Sequence, residues 1–265
     1  MRKNWLDSLR GLCIIFILFR HLDPTFIVPN ELGSRSINCI FCAFSVQIFF
    51  VISGMLYREG RFFFKITTWG LNYLKLTIIN YVLVMLLEAI SFRSFSSTLS
   101  RTPGYIWGVI YGHSQYLPNC APLWYVPCAM VSYAMFELIM RVKSKVGRVV
   151  ISLCYISMYT FEQMVVPGGF QLPWHAETAL LGATFMYIGY ELIKILPTIL
   201  CGYYDIAMAL ALLIGFRYDF IYMWAIDMDQ FYLGGSIVKF YILTIMTAVP
   251  TIYFFLRFDV RSRFL

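Results

Sequence analysis

Charged residues are scarce in this sequence. Lys, Arg, Asp and Glu make up 13% of its 265 residues and hydrophobic residues 60%, whereas an ordinary soluble domain has roughly 25% charged residues. A soluble domain of this length needs many more ionisable side chains to cover its surface, while a bilayer solvates apolar helices directly. The composition excludes a water-soluble fold and predicts a polytopic membrane protein.

Other patterns are missing as well. The sequence has no glycine period, heptad run or polar tract, which excludes collagen-like, coiled-coil and low-complexity disordered proteins. In a membrane protein the net charge of +7 is interpreted by position along the chain and not as a nucleic-acid-binding surface. We therefore expect the lipid bilayer as a partner and no nucleic acid.

Cysteine and histidine offer little metal chemistry. Six of the seven cysteines lie inside or beside apolar runs, where cysteine is a small membrane-core residue. Cys39 and Cys42 have the Cys-x-x-Cys spacing of redox and metal sites, but the pair begins an apolar span and the chain has only three histidines. We expect no bound metal.

Eight segments are long and apolar enough to be membrane-spanning helices. They are Leu6–Ile27, Ile37–Tyr57, Leu71–Ser91, Leu123–Met140, Val149–Val166, Thr178–Ile195, a weaker one within Thr198–Gly215, and Phe231–Phe255. The segment around Tyr105–Gly112 is too short and glycine-rich to span, so we expect it to be interfacial or re-entrant. The predicted fold is an all-α transmembrane bundle of about eight spanning helices in a single domain, residues 1–265.

The distribution of Lys and Arg predicts the orientation, because cytoplasmic loops carry an excess of both. With a cytoplasmic N-terminus the outside loops hold only Arg35, Arg93, Arg101 and Arg217. The inside loops then hold Arg2, Lys3, Arg58, Arg61, Lys65, Arg141, Lys143, Lys145, Arg148, Lys194, Arg257, Arg261 and Arg263. Both termini are expected in the cytoplasm.

The first predicted helix contains ionisable residues that are costly in a membrane. Asp7, Arg10 and His21 share one face, because eleven residues at about 100° each return to within roughly 20° of the starting direction. His21 lies about 16 Å deeper than Arg10 along the axis. An inert interpretation also exists, in which Asp7 and Arg10 pair near the interface and His21 is a hydrogen-bonding residue at the opposite one.

Two motifs stand in order on the first two predicted helices. Residues Trp5–Leu12 (WLDSLRGL) begin an apolar run to His21, and Phe49–Leu56 (FFVISGML) is followed directly by Arg58–Arg61, an Arg-x-x-Arg. These motifs resemble the acyltransferase-3 family, whose members are integral-membrane O-acyltransferases that modify cell-surface sugars. Ten residues separate Arg10 from His21, as in the signature of that family.

The resemblance extends along most of the chain. Pro122–Val126 is similar to the Leu-Trp-aromatic stretch of the family, and Leu172–His175 with Ala179–Gly189 is similar to the subgroup that acetylates oligosaccharides and exopolysaccharides. Family members usually exceed three hundred residues and have ten spanning helices. This chain stops at Leu265, about where a basic turn precedes the last helices of the family, so we expect a shortened variant or a truncated product.

The resemblance implies transfer of an acetyl or other short acyl group from acyl-coenzyme A to a sugar hydroxyl. Such a reaction needs a base for the hydroxyl and positive charge for the developing oxyanion. His21 is the candidate base, because a neutral imidazole is well suited to this role near pH 7. Its carboxylate partner is Asp23 or Asp7, and Arg10 completes the predicted catalytic set.

The donor site is expected at the cytoplasmic mouth. Arg58, Arg61 and Lys65 would gather there with Arg10, and guanidinium groups suit phosphate recognition. Positively charged loops also exist merely to set topology. Acetyl-coenzyme A is expected as a co-substrate, with no permanently bound cofactor.

The acceptor site is expected on the outer side. Trp124, Tyr125, Trp174 and His175 would stack on and hydrogen-bond a sugar, while Asp227 and Asp229 line the last outer loop. Aromatic belts at membrane interfaces explain the tryptophans equally well. Two further acidic residues, Glu88 and Glu137, lie within predicted spans, and their role stays open.

Two other classes compete with an acyltransferase. A glycan transporter would also need buried charges, but it should show an internal repeat, and the sequence has no self-similar halves. A truncated, non-catalytic membrane protein assembled with envelope biosynthesis partners is the second alternative. The acceptor is expected to be a surface glycan, exopolysaccharide or lipid-linked sugar, which suggests a bacterial inner membrane.

Overall fold

The structure is a computed structural model, and it describes most of the chain. The described residues are 4–21, 45–92, 96–117, 121–165, 172–200, 202–222, 226–227, 232–233 and 236–258. They form nine α-helices and one two-stranded ladder. The helices are α1 (Asn4–His21), α2 (Ser45–Met55), α3 (Phe62–Phe92), α4 (Ser96–Tyr111), α5 (Tyr125–Arg141), α6 (Lys145–Val165), α7 (Ala176–Ile199), α8 (Gly202–Tyr222) and α9 (Ile237–Arg257).

The predicted all-α class is confirmed. Two-residue strands β1 (Ile226–Asp227) and β2 (Tyr232–Leu233) pair antiparallel between α8 and α9. Each of the eight predicted spans overlaps a helix, but the span Phe231–Phe255 includes β2, and the span within Thr198–Gly215 includes the end of α7 as well as part of α8. Among the described residues, four segments are long and apolar enough to cross a membrane, namely Phe62–Ser91, Pro122–Arg141, Pro173–Ile199 and Ile237–Arg257. The count of eight spans stays a prediction.

The chain divides into two compact units. The first unit consists of residues 1–56 and 188–265, and the second of residues 57–187. The division falls within α7, whose first half belongs to the second unit.

The first unit contains α1, α2, the end of α7, α8 and α9. Helices α8 and α9 pack side by side, and polar side chains join them at one end. The Tyr253 hydroxyl donates to Asp205 Oδ1, and Arg257 Nε lies 3.5 Å from the same oxygen. A carboxylate in the first turn of α8 therefore binds two side chains from the end of α9.

A glycine lets two helices of the first unit approach closely. A Cβ atom added to Gly189 of α7 would lie 2.0 Å from the carbonyl oxygen of Val51 in α2. Small residues at helix contacts permit such approaches in membranes. Helix α2 also packs against α1 in this unit.

In the second unit α4 runs antiparallel along α3. Hydrogen bonds join Tyr81 to Thr102, Tyr105 to the Thr77 carbonyl, and Tyr73 to the Val109 carbonyl. Residue numbers fall along α3 as they rise along α4, so the end of α4 lies beside the middle of α3. Helix α4 includes most of the segment around Tyr105–Gly112 that was expected to be interfacial or re-entrant. The position of this segment in a bilayer stays a prediction.

Helix α5 forms the core of the second unit. Its buried side chains include Cys128, Tyr133, Phe136 and Ile139, and α3 packs against it. Buried Cys128, and Cys13 in the first unit, agree with the expected membrane-core cysteines, while Cys154 is exposed on α6. Cys39 and Cys42 lie outside the described residues.

Candidate functional site

The predicted catalytic residues of α1 are described only in part. Arg10 Nη1 lies 3.7 Å from Asp7 Oδ1, so these two residues pair one helical turn apart as their spacing predicts. His21 is the last residue of α1, but its side chain lies outside what the structure describes, and Asp23 lies outside the described residues altogether. The role of all four stays a prediction.

The predicted donor loop lies between α2 and α3. Arg58 and Arg61 are exposed, and Gly60 between them has φ +79° with no atom near its Cβ position. Glycine adopts this left-handed backbone without steric cost. The turn thus presents two guanidinium groups to solvent.

Lys65 points toward aromatic rings at the start of α3. Its ammonium lies 4.2 Å from the ring centroid of Tyr133 and 4.8 Å from that of Trp69. Cation–π contacts at such distances are worth about 0.5–1 kcal/mol at exposed sites and more when desolvated. Phe62 stacks on the same Tyr133 ring at 5.9 Å, so two side chains from the start of α3 contact Tyr133 of α5.

Glu137 of α5 binds the residue that precedes the donor loop. The Tyr57 hydroxyl donates to Glu137 Oε2 over 3.1 Å, and the Tyr57 ring packs edge-on against Phe136 at 5.0 Å. This hydrogen bond fastens the start of the Arg58–Arg61 segment to α5.

A second cluster forms from the segments that follow α4 and precede α5 and α7. The imidazole rings of His113 and His175 stack with centroids 3.7 Å apart and planes 16° apart. The Trp124 ring lies 4.8 Å from His175, and all three side chains are buried. Three aromatic groups from distant parts of the sequence therefore form one compact core.

A buried carboxylate completes this cluster. Glu177 Oε1 lies 3.3 Å from His175 Nδ1, and Glu177 Oε2 accepts a hydrogen bond from the backbone N–H of Leu172 over 3.2 Å. On the other side of the ring, the backbone N–H of Ser114 donates to His175 Nε2 over 3.1 Å. Glu177 and His175 thus connect two loops that lie about sixty residues apart in sequence.

The close approach of the two loops depends on glycines of α4 and its end. A Cβ atom at Gly108 would lie 1.6 Å from the Tyr116 carbonyl oxygen, and one at Gly112 would lie 2.5 Å from Trp174 Cδ1. Gly112 also has φ +68°. The loop around His113 folds this way because these positions carry no side chain.

The surroundings of His113 lower the pKa of its imidazole. Burial, and to a lesser extent the charge that His175 can carry, lower the pKa of His113 to about 4. An imidazole with so low a pKa is a weak base near neutrality. Together with its stacking on His175, this favours a packing role for His113 over general-base catalysis.

The three titratable residues lie close enough to be considered as metal ligands. His113, His175 and Glu177 each place a ligand atom within 4.8 Å of the others. A nitrogen lone pair lies in the plane of its ring, so two nearly parallel rings direct their lone pairs along lines that do not converge on one ion. With His175 Nε2 also bonded to Ser114, the geometry fits a stacked, hydrogen-bonded cluster better than the tetrahedral ligand set of zinc.

The structure brings together part of the predicted acceptor site. Trp124, its neighbour Tyr125 and His175 lie in contact, and Trp174 donates its indole N–H to the Ile110 carbonyl over 2.8 Å. Asp227 lies in β1, in the first unit, and its side chain is outside the described part of the chain, as Asp229 is altogether. Binding of an acceptor by these residues stays a prediction.

Sequence reasoning missed His113, Glu177 and the partner of Glu137. His113 is one of only three histidines and directly follows a glycine, and Glu177 stands two residues after His175. Those two signals were available from the sequence. The contact of Tyr57 with Glu137 spans eighty residues and had no local signal.

The long apolar helices indicate an integral membrane protein. The chain matches the family model described as an acyltransferase domain, acyltransferase-3, over residues 3–263. A comparison with curated proteins found no match, and neither did a comparison with solved structures. This protein belongs to the acyltransferase-3 family, and the resemblance inferred from its first two helices is confirmed.

Proposed function

We propose that this protein is a membrane O-acyltransferase that moves an acetyl or other short acyl group from acyl-coenzyme A to a hydroxyl of a surface glycan, exopolysaccharide or lipid-linked sugar. The observation that carries the proposal is the family match over nearly the whole chain. The Asp7–Arg10 pair on the helix that ends at His21 is consistent with it.

The proposed reaction is a direct transfer. The sugar hydroxyl attacks the thioester carbonyl, a C–O bond forms, and the C–S bond breaks to release coenzyme A. His21 takes the hydroxyl proton and returns it to the departing thiolate, so coenzyme A leaves as a thiol. Arg10 stabilises the negative charge that develops on the carbonyl oxygen.

The proposed donor site lies at the turn between α2 and α3. Arg58 and Arg61 are exposed there, as required of residues that meet the phosphates of a soluble donor. Guanidinium groups bind phosphate with paired hydrogen bonds. The excess of Lys and Arg in alternate loops supports a cytoplasmic location for this turn and for both termini, in the inner membrane of a bacterium.

Acetyl transfer in isolated membranes tests the function. Membranes that contain the protein are incubated with labelled acetyl-coenzyme A, and the glycan fraction is compared with that of matched membranes lacking it. We expect label in the glycan only with the protein present. Equal label in both membranes, with the protein correctly inserted, would contradict an acyltransferase acting on glycan.

Arg58→Ala and Arg61→Ala are each expected to raise the KM for acyl-coenzyme A about tenfold, because a hydrogen bond to a charged group is worth about 1.5–3 kcal/mol. The kcat should change little, since the phosphates are bound equally in the ground and transition states. Lys143→Ala is the matched control, because Lys143 is an exposed cation at the next loop on the same predicted side. An unchanged KM in both arginine variants would mean that these arginines set the membrane topology and do not bind the donor.

A further inference from the structure

The segment that carries Trp174 and His175 has a strained backbone. Trp174 has φ 60° and His175 has φ 50°, a left-handed conformation that costs roughly 1–2 kcal/mol for each residue with a Cβ atom. Asn or Gly would form such a turn with less strain. Strain of this kind persists only when the surrounding structure determines it, and it is found at functional sites.

The contacts that oppose this strain converge on Glu177. Its two oxygens face His175 Nδ1 and the Leu172 N–H, so Glu177 binds the segment on both sides of Trp174. His175 in turn accepts from Ser114, and the Trp174 indole is bonded to Ile110. One buried carboxylate thereby connects the segment to the loop that follows α4.

The hydrogen-bond pattern assigns the proton of His175. A backbone N–H can only donate, so Nε2 carries a lone pair, and the neutral ring carries its proton on Nδ1, facing Glu177. The ring is fully buried, with Nε2 bonded to Ser114 and Nδ1 3.3 Å from Glu177 Oε1. A buried ring held in this way acts through the segments that it contacts.

The Trp174 indole is exposed, whereas Glu177 and His175, which hold its segment, are buried. It remains 42% exposed, although its N–H is bonded and its backbone is fixed. A rigid aromatic face with a few fixed polar groups around it is typical of sites that bind and orient small ligands. A turn that only connected α6 to α7 would not require this indole to be held so firmly.

We propose that Glu177, acting through His175, is a positioning residue that holds the Trp174 segment and the Ser114 loop in the conformation that receives the sugar acceptor. This inference rests on the proposed function. It gives His175 an indirect role and adds Glu177, with His113 stacked on His175, to the residues that shape the acceptor site.

Steady-state kinetics of Glu177→Ala and Glu177→Gln test this role. The amide of Gln has one acceptor oxygen, so it can serve His175 or Leu172 but not both. We expect the acceptor KM to rise about fivefold in E177Q and about tenfold or more in E177A, since one hydrogen bond is worth about 1 kcal/mol. The KM for acyl-coenzyme A should stay unchanged. Glu191→Gln on the same helix, where Glu191 pairs with Lys194, is the control.

Hydrogen exchange provides a readout that does not require activity. The amides of Ser114 and Leu172 should exchange faster in both Glu177 variants than in the wild type and in E191Q. Faster exchange together with an unchanged acceptor KM would overturn the positioning role and leave a purely structural cluster. The same conclusion would follow if the variants only lowered the amount of active enzyme.

Two other results bear on different claims. If wild-type membranes show no transfer, the proposed function itself is wrong. If the protein binds one zinc ion per chain, the hydrogen-bonded assignment of the cluster is wrong.

Discussion

Replacing His21 by alanine is expected to lower the rate of acyl transfer by about 10²–10⁴-fold, because a positioned general base contributes about that much. The spacing from Arg10 places His21 on the face of α1 that carries the Asp7–Arg10 pair. Labelled acetyl transfer at matched expression measures the effect.

Two further variants separate base catalysis from packing. His21→Gln keeps a polar side chain of similar length but has no proton-accepting nitrogen, so it should lose as much activity as His21→Ala. Leu18→Ala changes an exposed residue of the same helix and should leave the rate unchanged. Full activity of His21→Ala in a protein that inserts correctly would remove His21 from the mechanism.

Hydrophobic patterning predicted the position of α5 well and that of α3 less well. The predicted span Leu123–Met140 lies within two residues of α5 at each end, because nearly every residue there is apolar. Helix α3 begins at Phe62, nine residues before the predicted start. Its first turns contain Lys65 and threonines, which lower the apolar content, and the packing of Lys65 on Trp69 and Tyr133 stabilises them instead.

Tertiary hydrogen bonds explain why α4 is a full helix. Its sequence contains Pro103 and two glycines, which weaken helix propensity. The Tyr105 hydroxyl donates to the Thr77 carbonyl, and the Val109 carbonyl accepts from Tyr73. These contacts with α3 do not follow from local sequence, so patterning indicated only a short non-spanning segment.

The candidate sites show the same difference: contacts between neighbours on one helix could be predicted, and contacts between residues distant in sequence could not. The pairing of Asp7 with Arg10 follows from helical spacing and was predicted. His175 was singled out from its motif, but its contacts with Ser114 and Glu177 depend on a left-handed turn at Trp174 that no periodicity indicates. The sequence therefore located the residue, and the structure was needed to show that its nitrogens face the protein.

Replacing Gly189 by alanine is expected to destabilise the first unit by about 1–3 kcal/mol or more, the range for overpacking. In an ordinary helix this change is stabilising by roughly 0.5–1 kcal/mol. Here the new methyl group would lie 2.0 Å from the Val51 oxygen and 2.8 Å from the Val51 carbonyl carbon. Backbone atoms cannot rotate away as a side chain can, so α2 and α7 must separate. Thermal unfolding in detergent measures the change.

A matched substitution shows whether the effect comes from this contact. Gly104 lies in α4 with no atom within 4 Å of its Cβ position, so Gly104→Ala tests the loss of a helical glycine without a clash. It should be neutral or slightly stabilising, so the changes in stability caused by the two substitutions should differ in sign.

The Gly189→Ala variant should also bind the donor less well. Because α2 carries the Phe-Phe-x-x-Ser-Gly motif and leads directly to Arg58, separation of α2 from α7 should raise the KM for acyl-coenzyme A. If Gly189→Ala is as stable as the wild type, α2 and α7 do not approach each other as closely as the contact between Gly189 and the Val51 carbonyl indicates.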